Sequence, residues 1–294
     1  MSVPMDTIIS QESGVESHES EDQILAENRF FWREKDGIKI LVSRNLEEKG
    51  FINAFSTRLG GVSPFPEDAL NLSGIFEDSV ENIFENRRRF LRVFENDLQL
   101  SMVWQTHSDL VKIVRNQTDI ENTEEKFDAL TSSLENLLIG VKTADCVPIL
   151  LGDTRTGAYA AVHAGWRGTV ESIVVKAVEK MSRNFGTKAE DLVCAIGPAA
   201  TVKNYEIGQD VIDAFAKNFP GSDYLFEPTR EGHAKIDLHL ANKEQLLSAG
   251  VNPENVDIAP LCTMERTDLF FSYRVEKSKY GKTGRLLSVI GQRK

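Results

Sequence analysis

The chain has 294 residues, 41% of them hydrophobic, and a formal net charge of −11. That acidity argues against binding nucleic acid or an anionic membrane through a basic face, so a phosphate-bearing ligand needs a local basic pocket. Three cysteines, Cys146, Cys194 and Cys262, are an odd number in a long chain. They point to a reducing cytoplasm rather than a disulfide framework, and neither a secretory leader nor a membrane-length apolar run is read.

Residues 1–26 are acidic and serine-rich and are expected to form a tail, disordered or an isolated helix, ahead of a single domain over 27–294. Short strands are predicted at 30–32, 38–42 and 51–55. The last runs into loop chemistry over 56–64, where Arg58 precedes Gly60-Gly61 and reads equally as an anion ligand or a solvated loop cation. Residues 79–95 have a helical period, with Val80, Ile83, Phe84, Leu91 and Phe94 on one stripe. Strands at 102–106 and 110–114 flank Gln105-Thr106-His107-Ser108, and another covers 137–141.

Two apolar runs, 147–151 and 158–162, flank turn chemistry at 152–157 and read as a hairpin. Symmetric pairing, Leu151 with Ala158 and Gly152 with Gly157, sets Cys146 directly opposite His163, with Cβ atoms about 4.5–5.5 Å apart. The chain then breaks into Gly165-Trp166-Arg167-Gly168. Thr169 is the expected N-cap of a helix carrying Val170, Ile173, Val174, Ala177, Val178 and Met181 and closing near Gly186. A glycine turn feeding a helix is a ready anion site, and Arg167 adds a permanent charge. Downstream come a strand at 192–196, a helix through Val211, Ile212, Phe215 and Phe219, and a helix at 238–249 capped by Asp237. Strands at 256–261, 269–273 and 286–290 finish the chain. Strands outnumber helices, which argues for a mixed or antiparallel α/β arrangement and against a doubly wound parallel sheet.

Five histidines are present: His18, His107, His163, His233 and His239. His107 is the natural third partner of Cys146 and His163. Two imidazoles and a thiolate make a three-ligand zinc site with an open fourth position, where a water's pKa falls to about 7. Without metal, the same Cys146–His163 pair reads as a nucleophile and its base. The ordinary alternative is a core cysteine and a structural histidine. Asp128 and Asp145 are acid/base or orienting candidates, and Trp166 is a stacking surface or a core aromatic. His18, Cys194 and Cys262 receive no role.

Several separated segments resemble one family. They are Ser56-Thr57-Arg58 with Gly60-Gly61, Asn71-Leu72, Gln105-Thr106-His107, Asp128-Ala129-Leu130, 143–148 around Ala-Asp-Cys, 162–168 around His-Ala-Gly-Trp-Arg-Gly, Ile196-Gly197-Pro198, and Phe271-Ser272-Tyr273-Arg274. The family is the laccase-domain group, once called multi-copper polyphenol oxidoreductases and now described as purine nucleoside phosphorylases with adenosine deaminase activity. The resemblance implies a single-domain, four-layer α-β-β-α sandwich with mixed sheets and a zinc held by His107, Cys146 and His163. It implies purine nucleosides and phosphate as substrates, with the catalytic set completed by Arg58 and Asp145. The implied substrate and phosphate set is Arg58, Arg167, Gly165, Trp166, Asn71, Gln105 and Asp128. Partners are small molecules, and the assembly is a monomer or homodimer. Two departures stand out: Ala199 where the family often has cysteine, and Val275 where a second arginine is common. Five histidines are too few for a multi-copper oxidase, although one His/His/Cys site can take up copper in vitro.

Overall fold

The computed structural model describes residues 20–65, 67–73, 78–94 and 97–293. Two six-stranded mixed sheets pack face to face. The first runs, edge to edge, Phe30–Lys35, Ile38–Ser43, Phe51–Ser56, Leu286–Gln292, Leu137–Thr143 and Gln99–Ser101. The second runs Val256–Ile258, Leu192–Ile196, Val147–Asp153, Tyr159–Ala164, Ala129–Ser132 and Val111–Val114. A small third sheet orders Glu206–Gly208, His233–Ile236 and Phe226–Arg230.

Side chains alternate along a strand, so each strand of the second sheet serves two layers. Ile149, Leu151, Ala160 and Val162 face Ile173, Val174, Ala177 and Met181 of the helix Ile173–Phe185 and Leu246 of the helix Leu238–Ser248. Leu150, Ala161, Val193 and Ala195 face the first sheet, where they meet Phe51, Phe55, Ile139 and Val141. On the far face of the first sheet, Ile40, Leu138 and Val289 pack on Phe90 of the helix Val80–Leu91. The order is α-β-β-α, as the resemblance implies. Burial on both faces is why the central strands read as unbroken apolar runs.

Several expectations are corrected. The hairpin pairs Gly152 with Tyr159 and Pro148 with His163, a register two residues away from the symmetric one. The turn is 154–157, because Asp153 accepts from the backbones of Arg155 and Thr156 and closes it early. A slip of two keeps every side chain on its face, so Cys146 and His163 remain on the same side as diagonal neighbours. Thr169 caps nothing. It is buried in a short helix, Trp166–Val170, and Ser172 at φ 59° turns the chain before the long helix. Residues 102–106 hold only an isolated bridge at Trp104. Residues 269–271 are buried coil, and Ser272 then caps the helix Tyr273–Tyr280. The helix expected over 79–95 spans Val80–Leu91. It buries Ile83, Asn86 and Phe90 and leaves Val80 and Phe84 exposed; residues 95–96 lie outside the described residues. The third sheet escaped the sequence reading because its strands are short and half-polar.

The boundary at residue 27 also moves. Ser20 caps a helix over Glu21–Glu27, Leu25 is fully buried, and Trp32 donates to Glu21 at 3.0 Å. Glu21 also pairs with Arg266. One apolar side chain and two anchored contacts make this segment part of the fold. Residues 1–19, with His18, lie outside the described residues. Leu25→Ala is expected to cost about 2–5 kcal/mol of unfolding free energy, the usual range for a buried leucine. Urea unfolding measures it, and a loss below about 0.5 kcal/mol, the scale of surface substitutions, would put the helix outside the cooperative unit.

Candidate metal centre

His107, Cys146 and His163 come together with their ligand atoms all within 4.8 Å of one another. Cys146 Sγ lies 3.9 Å from His107 Nε2, and the two imidazole rings meet edge to face at 4.9 Å. The topology explains the meeting. His107 lies between Gln99–Ser101 of the first sheet and Val111–Val114 of the second. Cys146 lies between Leu137–Thr143 of the first and Val147–Asp153 of the second. Both residues therefore sit where the chain crosses between sheets, and His163 waits near the end of the strand Tyr159–Ala164. Gln105 ties the two crossings together, accepting from Lys142 N and donating to Lys142 O, both at 2.7 Å.

Asp128 holds the arrangement. Its carboxylate accepts from the backbone N–H groups of Thr106, His107 and Ser108 at 3.1, 2.9 and 2.6 Å and from the Ser108 hydroxyl at 2.7 Å. It also accepts from His163 Nδ1 at 2.8 Å. Nδ1 therefore carries the hydrogen and Nε2 is left as the ligand atom. His107 is held at φ 60° and Asp145 at φ 82°, left-handed conformations costly for residues with a Cβ. Asp128 offsets the first. Asp145, accepting from Thr263 Oγ1 at 2.7 Å, Ser272 Oγ at 3.0 Å and Arg274 N at 2.7 Å, offsets the second.

The electrostatics follow from the packing. Burial opposes the charge on Asp128, but His163 and Ser108 outweigh it and hold the carboxyl at about 2. Burial likewise opposes a Cys146 thiolate; His163 and His107 overcome it and bring the thiol down to about 6. His163, also disfavoured as a cation by burial, is raised to about 9 by Cys146 and Asp128. At neutral pH the pair is a thiolate beside an imidazolium, an arrangement in which a metal ion could take the place of the proton. Burial is the leading influence on Asp145 and raises its pKa.

The remaining candidates divide. Gly165 packs on the trio: a Cβ there would stand 3.0 Å from His107 Cδ2 and 3.1 Å from Cys146 Sγ. Trp166 is half-buried against the helix-side core, with the exposed Arg167 guanidinium 4.2 Å above its ring. Arg58 is buried, paired with Glu276 at 2.8 Å and bonded to the carbonyls of Thr267 and Phe270, while its Nε has no hydrogen-bond partner. Asn71 is likewise spent on the backbone of Ser73 and Arg285, and Gln105 on Lys142. Asp145, whose oxygens are filled by three donors, fits an anchor of the Cys146 bend rather than an acid or base. A cavity of about 620 Å³ is lined by Arg58, Phe65 and Tyr280 among others, and none of the trio lines it. Cys194 is buried core and His239 donates to Gly197 O, both structural. Sequence reasoning assigned no role to Ser108, Thr263, Ser272 or Tyr205. Only the Ser272-Tyr273-Arg274 motif signalled any of this surrounding.

Residues 52–293 match the family described as multi-copper polyphenol oxidoreductase laccase. The chain belongs to this family. Within the polyphenol oxidoreductase laccase family it is 34% identical to a purine nucleoside phosphorylase of Bacteroides thetaiotaomicron, over 80% of this chain and 89% of that one. It is 35% identical to adenosine deaminase RL5 from an unknown prokaryotic organism, over 79% and 92% of the two chains. The solved structure of YlmD from Geobacillus stearothermophilus superposes with a TM-score of 0.81 at 29% identity, covering 89% of this chain and 98% of that one.

Two outcomes follow. In metal-free protein, alkylation by iodoacetamide should modify Cys146 with a midpoint near pH 6, while buried Cys194 and Cys262 stay unmodified. A midpoint near the ordinary thiol value of about 8.5 would contradict the thiolate–imidazolium pair. Asp128→Asn should lose about 10–100-fold in metal affinity by chelator competition. Unchanged affinity would show that the clamp does not act on the ligands.

Proposed function

We propose that this protein is a zinc-dependent purine nucleoside phosphorylase, acting on adenosine, inosine and guanosine, that also deaminates adenosine. The observation that carries the reading is the His107–Cys146–His163 trio, clamped by Asp128, in a chain whose relatives bear both activity names. The donor set suits zinc. His107, Cys146 and His163 would hold the ion through two imidazole nitrogens and a thiolate, whose ligand atoms lie within 4.8 Å of one another.

In phosphorolysis, a phosphate oxygen bonds to ribose C1′ as the C1′–N9 bond breaks. The electron pair leaves on the purine, which takes up a proton, and the products are the base and ribose 1-phosphate. In deamination, water adds at C6 of adenine and ammonia leaves, giving inosine. Bound zinc supplies Lewis acidity for such chemistry. The chain's own contribution is orientation. Asp128 keeps the hydrogen on His163 Nδ1 and fixes the ring, Gly165 leaves room beside the sulfur, and Arg167 offers a charge to an anion. Three free cysteines suit a cytoplasmic setting, and among the described residues no helix is long and apolar enough to cross a membrane.

The depressed Cys146 thiol also supports a metal-free cysteine hydrolase, in which His163 is the base and His107 helps hold the thiolate. Copper-dependent polyphenol oxidation is disfavoured by a total of five histidines. The test is a chromatographic time course of zinc-loaded protein with adenosine, with and without phosphate. The expected products are adenine and ribose 1-phosphate only when phosphate is present, and inosine regardless. Neither product from a zinc-loaded trio would overturn the nucleoside reading. Full activity after exhaustive chelation would transfer the role to the thiolate.

A further inference from the structure

Arg58 spends most of its fork on Glu276 and the carbonyls of Thr267 and Phe270, which directs attention to the exposed arginines. Arg274 is tied through its backbone to the bend that carries Cys146. Its backbone N–H donates to Asp145 Oδ2 at 2.7 Å, and Asp145 is the residue preceding Cys146. Its guanidinium lies 5.0 Å over the Tyr205 ring and donates from one terminal nitrogen to Glu206 O at 2.8 Å. The stacking, the bond to Glu206 O and a hydrogen bond to the Tyr205 side chain hold the guanidinium, and the N–H groups beyond these are left for a ligand.

The nearby carboxylates are spent. Glu206 turns its side chain to Arg230 at 2.9 Å and to Thr229 at 2.7 Å. Asp145 is filled by Thr263, Ser272 and the Arg274 backbone. Glu265 accepts from Asn204 at 2.7 Å. Arg274 forms no ion pair among the described residues and its side chain is exposed. An immobilised arginine, stacked on an aromatic face with free N–H groups, is built to grip a tetrahedral oxyanion in two-point fashion. In a chain of net charge −11, such a local cation is what an anionic co-substrate requires.

We infer that Arg274, seated on Tyr205 and bound through its backbone to the residue before Cys146, binds the inorganic phosphate that attacks the nucleoside, in the place that Arg58 was expected to fill. This rests on the phosphorylase reading. Phosphate binds through two guanidinium N–H groups, and one of its remaining oxygens makes the bond to C1′. Tyr205 is a positioning residue that carries the arginine.

The test is steady-state phosphorolysis by the zinc-loaded full chain, varying inorganic phosphate at saturating inosine and then inosine at saturating phosphate. Arg274→Met should raise the phosphate KM at least about tenfold, the scale of a lost charge-assisted contact, while the inosine KM moves by less than about threefold. Arg274→Lys, which keeps the charge and loses the planar fork, should fall between wild type and Arg274→Met. If Arg274→Met does not fold, Arg274→Lys alone decides, with a phosphate KM raised about three- to fivefold expected. An unchanged phosphate KM in the folded variants, with active wild type, overturns the assignment of Arg274 alone. A wild-type enzyme with no phosphate-dependent cleavage overturns the phosphorylase reading instead.

Discussion

The Asp128 carboxylate receives five hydrogen bonds, from three successive backbone N–H groups, one hydroxyl and one imidazole. A buried carboxylate is costly unless it is fully paired, and here pairing it also builds the centre. The three N–H groups lock the bend that forces His107 into a left-handed conformation. The imidazole bond sets the tautomer of His163. Two of the three ligands are thereby aimed by one side chain that need not touch metal or substrate. Asp145 repeats the device on a smaller scale around the Cys146 bend, using Thr263, Ser272 and the Arg274 backbone.

The two sheets supply the geometry that these carboxylates refine. A chain that must leave one sheet for the other exposes a short non-strand segment at the sandwich edge, where a functional side chain can sit on a rigid frame. His107 and Cys146 occupy two such crossings, and Gln105 joins them through the Lys142 backbone. The layers behind them are close-packed and apolar, so displacement of either bend would strain the core as well as the centre.

Much of this was readable in the residues, for identifiable reasons. The trio was legible because the hairpin places Cys146 and His163 on one face under either of two registers that differ by two residues. The true register was not, because Asp153 closes its turn with side-chain bonds that spacing does not reveal. The strands 147–153 and 159–164 were legible as long apolar runs. The third sheet was hidden by half-polar strands, and the packed helix at 21–27 by an acidic composition that outweighed one buried leucine. Arg58 shows the limit most clearly. An arginine beside two glycines looks like an anion ligand until the chain brings Glu276 to it from more than two hundred residues away. Arg274 was visible only as part of a motif, because its setting depends on the Tyr205 ring and the Asp145 carboxylate.

The central claim is that Asp128 aims the two imidazoles, and Asp145 the Cys146 bend, so that His107, Cys146 and His163 can together hold one metal ion, proposed to be zinc. X-ray absorption at the zinc edge on protein purified without chelator and loaded with one equivalent of zinc tests it most directly. The account predicts one sulfur at about 2.3 Å and two imidazole nitrogens at about 2.0–2.1 Å, with the fourth position taken by a light atom. A coordination shell without sulfur, or one made of water oxygens alone, would contradict it.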